Sequence, residues 1–279
     1  MGQTLVIAEK PSVAGDIARA LGGFKKDGDF WVSDAMIVGS AVGHLLEIKA
    51  PEEYDVKRGR WSFANLPVLP PHFDLQPIKK SIKKFEGLEK KIRSRSVTDI
   101  INACDAGREG ELIFRYIIQA TGTKKPIRRL WLQSMTKTSI QKAFTALRSD
   151  AEMKPLEAAA RSRSEADWLV GINGTRALTA FNSKDGGFFL TTVGRVQTPT
   201  LAIVVAREEE IAHFKPQNYW EVHATFGAQA GDYDSVWVDA DFKKTKGQSA
   251  ELKPERLWTA AEAQAIVAKC QGKLGIVTD

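Results

Sequence analysis

Asn102-Ala103-Cys104-Asp105-Ala106-Gly107-Arg108-Glu109-Gly110-Glu111-Leu112 is the stretch from which the rest of this 279-residue chain is read. An apolar run from Val97 to Ala103 leads into it and has the composition of a buried strand. After it, Leu112, Ile113, Tyr116, Ile117 and Ala120 fall on one face of a helix. Between strand and helix stand Asp105, Glu109 and Glu111, with Gly107 and Gly110 interleaved. Carboxylates are thus placed at the carboxyl end of a strand, the edge where open α/β sheets bind ligands. Glycines there let backbone approach a ligand closely. Clustered carboxylates suit a hard divalent cation that takes oxygen ligands and keeps several waters. The same pattern also describes a solvated turn whose acids are favoured by the positive end of the helix dipole.

A second stretch favours the site. Thr4 to Ala8 is another apolar strand, followed directly by Glu9-Lys10-Pro11-Ser12. Ser12 is placed to cap a helix from Val13 to Leu21, which Gly22-Gly23 ends. An acid again stands at a strand tip, here beside a lysine. Two such tips are what a shared metal or proton-transfer site requires.

Ile7-Ala8-Glu9-Lys10-Pro11-Ser12 and Asp105-Ala106-Gly107-Arg108-Glu109-Gly110-Glu111 resemble the two halves of a Toprim domain. Further landmarks follow in order: Val42-Gly43-His44-Leu45-Leu46-Glu47; Trp61 with Leu66-Pro67; Asp167-Trp168-Leu169-Val170-Gly171-Ile172-Asn173; Thr175-Arg176; and Val193-Gly194-Arg195-Val196-Gln197-Thr198-Pro199-Thr200. Together they resemble the amino-terminal part of a type IA DNA topoisomerase of the bacterial topoisomerase III group, over nearly the whole chain. The resemblance implies an α/β fold. A Toprim-type, mainly parallel sheet with flanking helices occupies 1–150. A helical region that grips single-stranded DNA covers 151–215, and 216–279 begin a β-rich arch domain.

The composition agrees with a soluble globular chain: 43% apolar, 27% charged, with no apolar run long enough to span a membrane. The amino terminus enters a strand at once, without a charged leader and apolar signal segment. Cys104 and Cys270 lack metal-ligand spacing, so a reduced, cytoplasmic setting is expected. The net charge of +6 is patterned, with eight Lys or Arg between Lys79 and Arg95 against Glu86 and Glu89. Ile82, Phe85, Leu88 and Ile92 give that segment an apolar stripe, so its bases cover the outer face. They form either a solvated helix or a phosphate-tracking surface.

Elsewhere the pattern alternates strand and helix through residue 150, with strands at Ala35–Val42 and Ile127–Gln133 and a helix at Ile140–Leu147 capped by Thr136 or Thr138. Residues 51–77, rich in proline and aromatics, read as a long ordered loop. One or two long helices are expected over Leu156–Phe181, and another from Pro199 to about Ile211. Strands are expected over Trp220–Phe226, Ser235–Phe242 and Leu274–Val277. Thr259 and Glu262 form a capping box for a helix ending near Cys270.

In the resembled family one DNA strand is cut by tyrosine attack on a phosphodiester, another strand is passed through, and the break is resealed. The resemblance therefore implies Mg2+ as cofactor and DNA, preferentially single-stranded, as partner, and it leaves a helicase partner open. Glu9, Lys10, Asp105 and Glu109 are the implied catalytic residues, Glu9 as general acid–base group and Lys10 as a point cation toward phosphate. Crowded carboxylates of this kind repel, which favours one of them holding a proton. Glu9 and Asp105 are the implied metal ligands. The usual Toprim pattern has a second aspartate where this chain has Gly107, and Glu111 is the candidate substitute.

Implied DNA contacts are Trp61, Trp168, Arg176, Ser183 and Thr192-Val193-Gly194-Arg195-Val196-Gln197. The tryptophans would stack on bases and the arginines clamp phosphate. Packed tryptophans and ion-paired arginines are the structural alternatives, and His44 is read as structural. None of the four tyrosines, Tyr54, Tyr116, Tyr219 and Tyr233, is followed by Pro-Arg, the context expected of the nucleophile. The chain is therefore expected to be an amino-terminal fragment that binds single strands without cutting them. Two other readings compete: a non-catalytic single-strand-binding module, and another Toprim enzyme of primase-like or nuclease type.

Overall fold

A computed structural model describes residues 2–53, 61–243 and 252–276. The chain divides into two compact units, Met1–Ala202 and Ile203–Asp279. In the first, β1 (Gln3–Ala8) leads to α1 (Pro11–Leu21), a hairpin of β2 (Lys25–Asp27) and β3 (Phe30–Val32), and β4 (Met36–Ser40). A small antiparallel pair, β5 (Leu46–Ile48) and β6 (Leu75–Pro77), brackets the proline-rich stretch. Then come α2 (Ile82–Arg93), β7 (Val97–Ala103), α3 (Arg108–Thr121), β8 (Ile127–Arg129), α4 (Lys137–Phe144), β9 (Arg148–Ser149) and α5 (Asp150–Asn182).

Seven strands form one sheet in the order β2-β3-β4-β1-β7-β8-β9. Its centre is parallel: β1 pairs with β4 and β7, and β7 with β8. Both edges are antiparallel. Strands covered on two faces are apolar at successive positions rather than alternate ones, and β1 follows that rule. Leu5 and Ile7 enter the core beneath α2 and α3, while Val6 and Ala8 enter the core beneath α1 and α4. β7 divides likewise, with Ile100 on the first side and Ile101 and Ala103 on the second. The order of connection reverses between β1 and β7. That is a topological switch point, where open sheets part to form a crevice at the carboxyl ends of the strands.

Several boundaries differ from those expected. α1 begins at Pro11, with Lys10 rather than Ser12 at the N-cap position; proline at the first helical position forfeits no helical hydrogen bond. β8 stops at Arg129, where its parallel pairing with β7 and its antiparallel pairing with β9 both end. α5 is one 33-residue helix that starts before Pro155, fixed by a capping box in which Ser149 and Glu152 bond each other's backbone.

α6 (Gln197–Ala212) carries the chain into the second unit. There β10 (His223–Ala228) and β11 (Gly231–Val236) form an antiparallel hairpin, and α7 (Ala260–Cys270) is capped by Thr259. β11 begins earlier than the expected Ser235 because Gly231, at φ +125, closes a tight turn. Leu274–Ile276 are exposed and form no strand; Val277 lies outside the described residues.

Candidate active site and nucleic-acid interface

The adjacent tips of β1 and β7 carry Glu9 and Asp105 into the crevice. Lys10 stands between them, its Nζ donating to Asp105 Oδ2 at 3.0 Å and lying 3.9 Å from Glu9 Oε1. The hydrogen bond to Asp105, with the charges of Asp105 and Glu9, raises the Lys10 pKa, so the ammonium is firmly charged. The Glu9 side chain is largely buried, and its Oε2 is buried without a hydrogen-bond partner. Such an atom is costly unless a partner arrives.

The tip of β4 joins the same edge. Val42 N–H and Gly43 N–H both donate to the Glu9 carbonyl, at 2.7 and 3.2 Å. Val42 takes φ +64, a left-handed conformation that a β-branched residue adopts only under strain. This turn sets His44 against Glu109 on the first turn of α3, Nε2 to Oε1 at 2.6 Å. Glu109 thus meets His44, which the sequence reading had treated as structural.

The two glycines of the motif have different roles. A side chain at Gly110 would meet the Asp105 backbone, its Cβ 2.3 Å from the carbonyl oxygen, so only glycine lets α3 start against the β7 tip. Gly107 is extended, and a Cβ there meets nothing within 4 Å.

Glu111 requires a correction. It does not substitute for the missing aspartate, because it is fully buried and already paired. Arg115 Nε donates to it at 2.7 Å and Asn102 Nδ2 at 3.0 Å. Arg129 Nε lies 3.3 Å away, an ion pair by proximity without hydrogen-bond alignment. Arg129, itself buried, donates to the carbonyls of Asn102, Cys104, Leu130 and Asp105. No periodicity marked Arg129, yet it holds the backbone of the β7 tip from below.

Among the described residues no group of three or more His, Cys, Asp or Glu side chains is arranged to hold a metal. Magnesium, however, is commonly held by one or two carboxylates plus waters and substrate phosphates. Glu9, with its unpartnered oxygen, and Asp105 fit that shared mode and do not fit an all-protein cage.

The predicted DNA contacts gather around α5. Trp61, Phe63, Thr179, Ser183, Lys184 and Phe188 line a cleft of about 270 Å³. Phe63 and Phe188 are exposed there, and Ser183 Oγ accepts from Phe189 N–H. Arg176 is not a free phosphate clamp. It is 5% exposed, ion-paired with Glu52, and lies over the Trp61 ring at 5.3 Å, so it orients that ring instead. Trp168 is not a free stacking platform either: its Nε1–H donates to Lys49 O at 3.1 Å, and its ring meets Phe73 edge-on.

Thr175 and Thr179, one turn apart on α5, hold the segment that includes Thr192. Thr175 Oγ1 accepts from Val193 N–H at 3.0 Å, and Thr179 Oγ1 from Thr191 N–H at 3.0 Å. Gly194 N–H donates to Thr198 Oγ1 at 3.1 Å, just before α6. Thr192, Arg195, Val196 and Gln197 are exposed beside it. Arg195 pairs with Asp167, and this hydrogen bond holds the Asp167 carboxyl below its ordinary range.

Residues 4–135 match the family model of the Toprim domain, and residues 151–279 match that of DNA topoisomerase. The chain belongs to the type IA DNA topoisomerases. It is 39% identical over 270 residues to DNA topoisomerase 3 of Bacillus subtilis, a match covering 96% of this chain and 36% of that one. With DNA topoisomerase 3 of Bacillus thuringiensis, strain Al Hakam, identity is 42% over 258 residues, covering 92% and 34%. The chain thus spans about a third of the length of these relatives. In fold it is similar to full-length topoisomerase I from Thermotoga maritima: TM-score 0.53, 22% identity, covering 88% of this chain and 36% of that one. Among the described residues no helix is long and apolar enough to cross a membrane.

Proposed function

We propose that this chain supplies the acidic half of a type IA cleavage site and a grip for single-stranded DNA, with the nucleophilic tyrosine contributed from outside it. The observation that carries this reading is Lys10 standing between Glu9 and Asp105 at the switch point. Lys10 is placed to neutralise phosphate charge. Glu9, largely buried and with one oxygen unpartnered, is placed to exchange a proton with the leaving sugar oxygen. Bound Mg2+, held by Glu9 and Asp105, would stabilise charge on the phosphate. The aromatic cleft receives bases, because stacking is tolerant of sequence.

No tyrosine described here suits the attack. Tyr116 is buried, donates its hydroxyl to Ser164 Oγ, and has its phenol pKa raised by burial. Tyr219 packs edge-on to Trp258 with Arg256 over its ring, and Tyr233 stacks on Phe226. Tyr54 lies outside the described residues. Carboxylates and a metal stabilise a transition state but do not replace a covalent nucleophile. The test incubates the chain with labelled single-stranded DNA and Mg2+ and then adds detergent. Salt-sensitive binding without a covalent adduct is expected. An adduct on any tyrosine, or binding stronger to duplex than to single strand, would overturn the reading.

A further inference from the structure

The basic segment noted in the sequence has no part in the site above. In the structure α2 buries Phe85, Leu88 and Ile92 against the sheet. One side of α2 carries Lys84, Gly87 and Lys91, at successive spacings of three and four. That side faces the β2–β3 hairpin. Lys84 and Lys91 lie over the Phe30 ring at 6.0 and 5.2 Å, and Lys26 lies over Trp31 at 5.8 Å. A side chain at Gly87 would meet nothing within 4 Å, so the stripe is interrupted by open space. Lys26 and Lys84, with Arg19, also line a cleft of about 200 Å³ that includes Pro11 and Ser12, the residues directly after Lys10.

The charge on this face is only partly balanced. Lys84 pairs with Asp29, and Arg19 with Asp16. Lys25, Lys26, Lys83, Lys90 and Lys91 sit in no ion pair among the described residues. An isolated solvated helix needs no such convergence of two elements on one cleft.

We propose that this face, formed by the β2–β3 hairpin and α2, tracks the phosphates of a duplex arm flanking the single-stranded segment. The proposal rests on the functional reading above and extends it to a second surface. Duplex is favoured over single strand by the state of the aromatic rings. In the cleft at Trp61, exposed Phe63 and Phe188 offer faces to bases. On this face Phe30 and Trp31 are half-buried beneath lysines and offer none. A surface that presents cations without stacking platforms suits a polymer whose bases are already stacked and whose phosphates are outermost.

The test uses the triple variant Lys26→Gln, Lys84→Gln, Lys91→Gln, which removes the three ammonium charges and keeps the first two methylenes of each side chain. Binding is measured by fluorescence anisotropy across a salt series, with two oligonucleotides: a single strand, and the same strand continued by a duplex arm. The parent chain is expected to bind the arm-bearing form more tightly and with a steeper salt dependence. Each duplex phosphate contact contributes roughly 0.9 to the log–log salt slope. Losing three contacts therefore removes about 2–3 from the slope with the arm, equivalent to ~40-fold in affinity between 0.05 and 0.2 M salt. Single-strand binding should be unchanged, and the variant should stay folded with only a modest drop in thermal midpoint from the lost Lys84–Asp29 and lysine–ring contacts.

Equal binding of the arm-bearing form by parent and variant would overturn the proposal and leave the face to an acidic protein or to solvent. An equal loss on both oligonucleotides would overturn it too, since the effect would then be general charge. Failure of the parent to bind the plain single strand would instead refute the functional reading beneath it.

Discussion

Replacing Glu111 with glutamine separates its structural role from the metal-ligand role that the motif suggests. The substitution keeps volume and shape, so no cavity opens and the effect is electrostatic. Arg115 retains Asp150 at 2.6 Å and Glu157 at 3.2 Å, and so keeps compensation. Arg129, 1% exposed, is left with backbone carbonyls and no carboxylate among its described partners. Removing one member of a buried pair costs about 3–5 kcal/mol, chiefly because the other charge stays buried. With Arg115 still paired, the lower end applies, about 3 kcal/mol. For a unit of this size each kcal/mol moves the thermal midpoint by roughly 2–4 °C, so Glu111→Gln should lower it by about 6–12 °C. Circular dichroism melts of the parent, Glu111→Gln and Glu109→Gln would measure this. The Glu109 side chain is 63% exposed and its variant should melt within about 2 °C of the parent. A Glu111→Gln midpoint equal to or above the parent's, with Mg2+ affinity lost, would refute the structural assignment and return this acid to the metal site.

Gly107→Asp should strengthen Mg2+ binding, measured by calorimetry, because a side chain there meets open space beside Asp105; unchanged affinity would place the metal elsewhere. Asp167 should titrate below the ordinary carboxylate value of ~3.9 and rise toward it in Arg195→Gln, where Arg163 still lowers it, followed by carboxyl NMR. Since its folded pKa is depressed, the Asp167–Arg195 contribution is present above the unfolded pKa and is lost as pH falls through the folded one. A thiol reagent should label exposed Cys270 quickly and Cys104 only on unfolding, because burial raises the Cys104 pKa and blocks access; rapid labelling of both would contradict the packing of the β7 tip.

The central strands were legible because both of their faces are buried, which leaves a wholly apolar run at Leu5–Ala8 and a mostly apolar one, broken by Asn102, at Ile100–Ala103, with acids just beyond. The β2–β3 hairpin was not legible: Lys25-Lys26-Asp27 is an exposed edge strand, held by pairing rather than by burial, and carries no apolar pattern. The start of α5 ahead of the expected Leu156 is marked in the sequence by Ser149 and Glu152, a capping box. At the site, strand tips placed Glu9 and Asp105 correctly beside each other. The motif could not tell Glu109 from Glu111, two residues apart on a helix and so on different sides of it, one toward His44 and one into the core. The spacing of Glu111 from Arg115, i to i+4, was the available clue. The partners of Arg176 and Trp168, Glu52 and Lys49, lie more than a hundred residues away, so no local pattern reveals those contacts.

The claim that metal and DNA meet at Glu9 and Asp105 is tested most directly by titrating Mg2+ calorimetrically into the chain, with and without saturating single-stranded DNA. Two carboxylates leave most of the coordination shell to water and phosphate. The metal should therefore bind weakly alone and more tightly with DNA, and by linkage Mg2+ should tighten DNA binding by the same factor. Glu9→Gln should abolish that coupling while leaving metal-free DNA affinity close to the parent's. Mg2+ affinity that is independent of DNA, or coupling that survives Glu9→Gln, would contradict the account.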